Sequence, residues 1–210
     1  MRLTRNGVHC ILHPPVHART LVFLHGLGDS AESFADLFQS QPIADDCKYV
    51  LLTAPVRPVT INGGMQMTSW YDIPALGTRS VNAELRESAE FLAKVIEEER
   101  QLTDNIVIGG FSQGGAVSLY TALSHYAGSL KGVIGLSTYL MEFEPRADCR
   151  SLPIFLYHGE ADDLIRAPWA LQSYKALEGF NTTVTTEPGL PHSLSLQELQ
   201  KLRGWLGSVF

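Results

Sequence analysis

Ile106-Val107-Ile108-Gly109-Gly110-Phe111-Ser112-Gln113-Gly114-Gly115 begins as an apolar run, reaches a serine set between glycines, and leads into the helix-forming stretch Ala116–Leu123. Within it, Gly110-Phe111-Ser112-Gln113-Gly114 fits Gly-x-Ser-x-Gly, the pattern of a nucleophile elbow. The pattern is short, but here it falls at a strand-to-helix junction, the context it requires. A turn that tight brings neighbouring backbone against the serine, so its flanking positions have no space for side chains. Gly115 adds further room, and the third helix of the chain is expected to begin near Ser112.

Short apolar runs like Ile106–Ile108 recur at Leu21–Leu24, Tyr49–Leu52, Val133–Leu136 and Ile154–Tyr157, each bounded by Gly, Pro or a polar turn residue. Continuous hydrophobicity suits strands of a parallel sheet covered on both faces, because neither side of the strand meets water. Helical patterns fall between them. Asp29 and Glu32 have capping-box spacing before Phe34, Leu37 and Phe38. Leu85, Ala89, Leu92 and Ile96 mark one face of a helix from about Ser80 to Arg100. A helix near Pro168–Leu177, a strand at Thr182–Thr186 and a helix from about Leu194 to Leu206 complete the alternation. This order predicts an α/β fold with a mostly parallel central sheet, right-handed crossovers, helices on both faces and an antiparallel edge strand at Val8–Leu12. Ala54–Arg79 has no clear period, and structureless loops of that length are usually functional or mobile.

The 210 residues suffice for one domain spanning 1–210, and 45% hydrophobic against 18% charged content excludes disorder. The net charge of −6 offers no field for a polyanion and argues against nucleic acid. No stretch approaches the roughly 18 apolar residues of a membrane span, and Met1–Pro15 has no signal-peptide core, so a cytoplasmic location is expected. Cys10, Cys47 and Cys149 are an odd number without a Cys-x-x-Cys pair, and read as buried reduced thiols.

A serine nucleophile needs a histidine base and a carboxylate, in the chain order Ser, Asp or Glu, His. His125 lies inside the third helix and His158 ends a strand. His192, in Gly189-Leu190-Pro191-His192-Ser193 between the last strand and the last helix, is the better base. The acid is expected in Gly159-Glu160-Ala161-Asp162-Asp163, where spacing alone does not separate Asp162 from Asp163. Oxyanion donors are expected from the backbone N–H groups of Gln113, after the nucleophile, and Leu27, in His25-Gly26-Leu27-Gly28-Asp29. That loop continues as Gly26-Leu27-Gly28-Asp29-Ser30-Ala31, which also fits the dinucleotide fingerprint of an NAD-type oxidoreductase. The second strand, however, runs into Thr53-Ala54-Pro55 with no ribose-binding acid. No Walker motif, His-Glu-x-x-His or Cys/His metal cluster is present.

Four blocks carry a resemblance: Phe23-Leu24-His25-Gly26-Leu27-Gly28-Asp29, Ala54-Pro55-Val56-Arg57-Pro58-Val59-Thr60, Ser69-Trp70-Tyr71-Asp72, and Gly109 to Gly115. Over nearly its whole length the chain resembles the acyl-protein thioesterase and carboxylesterase family of α/β-hydrolases. The resemblance implies Ser112 as nucleophile, Asp162 as orienting acid and His192 as base, with Leu27 and Gln113 as oxyanion donors. It implies cleavage of a carboxylic ester or thioester through an acyl-enzyme without a cofactor. There are two departures. Asp163 stands where the family's acid loop has proline, and Ser137-Thr138-Tyr139-Leu140-Met141 lacks the family's usual glycine or cysteine after the serine and proline after the leucine.

The gap between Leu136 and Ile154 is too short for a large helical lid. Met65, Met67, Trp70, Ile73 and Leu76 are candidates for lining an acyl groove, with packing of the loop onto the core as the alternative. The expected substrate is a small ester, a lysophospholipid or an S-acylated protein, and an exposed apolar groove would favour a homodimer. A hydrolase fold with decayed catalysis, serving as a binding module, is disfavoured because every catalytic position is filled.

Overall fold

A computed structural model describes residues 1–210. Ten strands occupy β1 Arg2–Asn6, β2 His9–His13, β3 Arg19–Leu24, β4 Cys47–Leu52, β5 Val56–Val59, β6 Met65–Thr68, β7 Ile106–Phe111, β8 Gly132–Leu136, β9 Ile154–Gly159 and β10 Thr182–Glu187. Five α-helices occupy α1 Ala31–Ser40, α2 Ala83–Arg100, α3 Gln113–Tyr120, α4 Ala167–Tyr174 and α5 Leu196–Val209, and α3 continues into a π-helical turn at Thr121–His125. Eight strands form one sheet in the order β1-β2-β4-β3-β7-β8-β9-β10, antiparallel at β1, β2 and β4 and parallel from β4 onward.

The apolar runs divide residue by residue between two cores, as strand geometry requires. Val22, Ile108, Val133, Ile154 and Leu156 face a core closed by α2, α3 and α4. Leu21, Phe23, Val107, Ile134, Phe155 and Tyr157 face the other, closed by α1 and α5. On α2 the expected stripe of Leu85, Ala89, Leu92 and Ile96 is fully buried. Burying both faces of the central strands supplies the main hydrophobic stabilisation of the fold.

Four expectations need correction. The outermost strand is β1, not Val8–Leu12, because β1 pairs outside β2 with Arg2 opposite His13; its polar sequence RLTRN carries no apolar run to reveal it. The helix α1 is not closed by an Asp29–Glu32 box. Ser30 is its N-cap, Asp29 Oδ1 accepts from Ser30 N–H and Ser33 Oγ, and Glu32 pairs with Arg5. The helix predicted from Ser80 starts at Ala83, capped by the Asn82 side chain, which accepts from Leu85 N–H. Finally, Ala54–Arg79 is not structureless. It holds the β5–β6 hairpin, turned through Gly63 and Gly64 at φ 66° and 79°, a conformation open to residues without Cβ. Between Leu136 and Ile154 there is only a 3₁₀ turn at Ala147–Cys149, so nothing lid-sized covers the sheet.

The strand order places the site. From β3 the chain crosses to β4 on one side, then returns to β7 on the other, which makes the carboxyl ends of β3 and β7 a topological switch point. Leu24 lies opposite Gly110 across that pair, so the loop after β3 and the turn after β7 meet.

Candidate active site

Ser112 sits at the β7–α3 turn with φ 52° and ψ −119°, a region that costs a non-glycine residue of order 1–3 kcal/mol. Its surroundings fix it there. Ser112 N–H donates to the Leu136 carbonyl at 2.8 Å, and the Ser112 carbonyl accepts from Ala116 N–H at 3.2 Å and from Thr138 Oγ1 at 2.6 Å. The glycines beside it are sterically required: a Cβ on Gly110 would lie 2.4 Å from the Gly114 carbonyl carbon, and one on Gly114 would lie 2.3 Å from the Leu24 carbonyl oxygen. A Cβ on Gly26 would press within 3.1 Å of the Phe111 ring and 3.3 Å of Ser112 Cβ. The Gly-x-Gly stretch after β3 is thus shaped by the serine turn, which accounts for its glycine without a pyrophosphate.

His192 Nε2 lies 2.9 Å from Ser112 Oγ, and His192 Nδ1 lies 2.6 Å from Asp162 Oδ2. A carboxylate can only accept, so Nδ1 carries the proton and Nε2 is left to accept from the serine hydroxyl. Asp162 is buried, and its Oδ1 also accepts from Leu164 N–H at 3.0 Å and Ile165 N–H at 2.7 Å. The ring of His192 rests 4.8 Å from that of Phe111. The loops bearing Asp162 and His192 are joined: Glu160 N–H donates to the Glu187 carbonyl and Ala161 N–H to the Leu190 carbonyl. Gly159 permits this, since a Cβ there would fall 2.1 Å from the Leu190 carbonyl oxygen.

The adjacent carboxyls separate by environment. Asp162 faces His192, whereas Asp163 is exposed at the wall of a neighbouring cavity. His158 is buried, and its Nε2–H donates to the Ile165 carbonyl at 2.7 Å while lying 3.5 Å from Asp162 Oδ2. Burial lowers its pKa against the raising influence of Ile165 and Asp162, so it is a neutral brace behind Asp162.

Leu27 N–H makes no hydrogen bond within the chain, and Gln113 is the first residue of α3, where N–H groups lack an intrahelical acceptor. Both residues line the cavity beside Ser112. The Gln113 side chain is turned inward as a clamp: Nε2 donates to Ser69 Oγ and the Tyr71 carbonyl, and Oε1 accepts from Trp70 N–H. His25 is locked by two bonds. Nε2 accepts from Ala54 N–H at 2.9 Å, so Nδ1 holds the proton and donates to the Gly26 carbonyl, while burial lowers the pKa and keeps the ring neutral.

The cavity has a volume of about 740 Å³, and most of its exposed lining surface is apolar. Of the five residues expected to line an acyl groove, Ile73 and Leu76 are in its wall. Trp70 must be corrected: it is fully buried, and its indole N–H donates to the His25 carbonyl, so it packs the loop onto the core. Met65 and Met67 also fall outside the wall. They stand on the same side of β6, two residues apart, with Met65 exposed to solvent and the Met67 sulfur 3.3 Å from Asn62 Nδ2. The walls that sequence reading missed include Ile61, Leu164, Ile165, Tyr139 and Trp169. Leu164-Ile165 directly follows the acid loop, which was the available signal. Tyr139 belongs to the departing segment Ser137–Met141. Its ring packs 4.7 Å from Trp169, and its hydroxyl lies 2.7 Å from that of Tyr71.

Together these groups can activate a hydroxyl, orient its base, and present two backbone donors to a developing oxyanion beside an apolar cavity. No helix is long and apolar enough to cross a membrane. Acyl-protein thioesterase 1 homolog 1 of Dictyostelium discoideum is 35% identical over 206 residues, covering 92% of this chain and 91% of that protein. Acyl-protein thioesterase 1 of Mycosarcoma maydis is 36% identical over 218 residues, with 90% of each chain covered. The crystal structure of acyl-protein thioesterase 2 of Zea mays superposes with a TM-score of 0.84 at 27% identity, covering 97% of this chain and 99% of that one. Residues 11–209 match the phospholipase/carboxylesterase family, and the chain belongs to that family of α/β-hydrolases.

Proposed function

We propose that this protein is a single-domain serine hydrolase that cleaves carboxylic ester or thioester bonds through an acyl-enzyme on Ser112. The observation that carries the reading is the hydrogen-bonded series Ser112 Oγ, His192 Nε2, His192 Nδ1 and Asp162 Oδ2, with separations of 2.9 and 2.6 Å at its two ends. In acylation Ser112 Oγ attacks the carbonyl carbon and passes its proton to His192 Nε2. Asp162 holds the imidazole in the required tautomer and stabilises its charge, and the N–H groups of Leu27 and Gln113 receive the oxyanion. Water then repeats the sequence on the acyl-enzyme and releases the acid. No step calls on a cofactor.

The apolar cavity supports an acyl chain as the part of the substrate bound there, with Ile73 and Leu76 in its wall. Since relatives of more than 30% identity are acyl-protein thioesterases, an S-acylated protein is the favoured substrate class. Lysophospholipids and small esters present the same carbonyl, and a cytoplasmic location and a homodimer fit this role.

Ser112→Ala is expected to reduce turnover of a short p-nitrophenyl ester by on the order of 10³-fold or more with the fold intact by circular dichroism. Covalent labelling of the wild-type protein by a fluorophosphonate should disappear in the same variant. Turnover that survives the substitution would overturn the proposal.

A further inference from the structure

A second recess of about 340 Å³ adjoins the main cavity, and Asp29, Phe111 and His192 line both. The two differ in their walls. Leu27, Ser112 and Gln113 border only the large cavity, whereas the small one is completed by Phe34 and Leu37 of α1, Leu194, and the hydroxyl-bearing Ser33 and Ser193. The division matches the two halves of an acyl-transfer substrate. The carbonyl must lie at Ser112 with its oxygen toward Leu27 and Gln113, so the acyl chain runs from there into the large cavity. The departing atom must lie where His192 Nε2 can protonate it, and His192 is shared with the small recess, whose lining continues through Ser193 and Leu194.

The small recess has one charged wall. Asp29 Oδ1 accepts from Ser30 N–H at 2.8 Å and from Ser33 Oγ at 2.5 Å, while Oδ2 has no partner. No lysine or arginine borders the recess. An apolar floor with an unpartnered carboxylate beside it favours a ligand that is both apolar and cationic.

We propose that this recess is the leaving-group subsite and that Asp29 makes it selective for thiols and alcohols carrying a positive charge. The proposal rests on Ser112 being the nucleophile. In the step concerned, the bond from Ser112 Oγ to the carbonyl carbon forms as the hydroxyl proton moves to His192 Nε2. The bond from that carbon to sulfur or oxygen then breaks, and Nε2 returns the proton to the departing atom, so a neutral thiol or alcohol leaves and its remote cation remains against Asp29.

The test uses two thioesters of one octanoyl group, octanoyl thiocholine and its neutral isostere S-(3,3-dimethylbutyl) octanethioate. They differ only in a quaternary nitrogen replacing a quaternary carbon. At low ionic strength the wild-type protein should show kcat/KM about threefold or more higher for the cation, a preference that shrinks with added salt. Asp29→Asn keeps an oxygen for Ser30 N–H and should bring the ratio of the two kcat/KM values close to one. Ser33→Lys, at an exposed position of the recess, should lower the ratio as well. A wild-type ratio of one or less, or a ratio that both variants leave in place, would overturn the subsite. Hydrolysis of both thioesters that persists in Ser112→Ala would instead sink the underlying reading of the nucleophile.

Discussion

Asp162 and Asp163 are neighbours in sequence and differ in almost every physical respect. Asp162 is 4% exposed and receives three hydrogen bonds, from Leu164 N–H, Ile165 N–H and His192 Nδ1–H; Asp163 is exposed. Asp162→Asn is expected to lower kcat on a p-nitrophenyl ester by on the order of 10³ to 10⁴-fold, because an amide can donate to Nδ1 and favour the wrong tautomer. Asp163→Asn, away from the imidazole, should change it by no more than about threefold. Steady-state kinetics of the two variants checks the assignment, and equal losses would refute it. Spacing could not make this distinction, because a one-residue step in a loop reverses the direction of a side chain without changing the motif. That Ser112 sits at a strand-to-helix turn and that His192 comes within hydrogen-bond reach of it were legible for the opposite reason: glycines dictated by backbone contacts bracket the first, and the chain order leaves few rivals to the second. Trp70 was misread because an amphipathic ring suits a ligand wall and a core equally well, and only its bond to the His25 carbonyl reveals which it serves.

At the scale of elements, the ends of β9, β10 and α5 carry the position of His192. Gly159→Ala would push a Cβ into the Leu190 carbonyl, which must move and take His192 with it. A displacement of about 1 Å at the reacting groups costs on the order of 10²-fold in rate, and that loss in kcat/KM is expected here with the far-ultraviolet spectrum retained. The start of α5 adds a dependence on pH. Ser195 and Glu198 form a capping box, but Glu198 is fully buried and its Oε1 has no partner. Burial raises its pKa from 4.5 to about 8, opposed by Ser195 N–H and assisted by Glu187. Between those values the folded chain keeps a proton that the unfolded chain releases, so this group makes stability fall as pH rises through the window. Glu198→Gln preserves the box and removes the titration. Relative to wild type it should gain on the order of 2–4 kcal/mol between pH 5 and pH 8.5, read from urea unfolding at both values; an equal difference at the two pH values would refute it. The buried parallel strands were visible in sequence because both their faces are apolar. The strands β1, β5 and β6 were not, since they are short and largely exposed at the sheet margin or in a separate hairpin, where burial imposes no pattern.

For the whole molecule, the switch point in the sheet determines where substrate can lie, and the walls of the cavity determine how much of it can be buried. Its lining comes from segments far apart in sequence, including Ile61 after β5, Ile73 and Leu76 after β6, Tyr139 after β8 and Trp169 on α4. No local pattern announces such a surface, which explains why the serine turn could be read from ten residues while most of the cavity wall could not. If the acyl chain fills this space, each methylene transferred from water contributes up to about 0.8 kcal/mol, or up to about fourfold in kcat/KM. A series of p-nitrophenyl esters should therefore rise with chain length and then level off once further methylenes project beyond the wall. Ile73→Trp narrows the cavity from a half-buried position on its side and leaves Ser112, His192 and Asp162 untouched. It should move the break in the series to shorter chains by two or so methylenes while the acetyl ester, which has no chain to extend along the wall, is hydrolysed within about twofold of wild type. A uniform drop across all chain lengths would mean that Ile73 supports the reacting groups and not the acyl chain. An unchanged break would place the chain elsewhere on the protein.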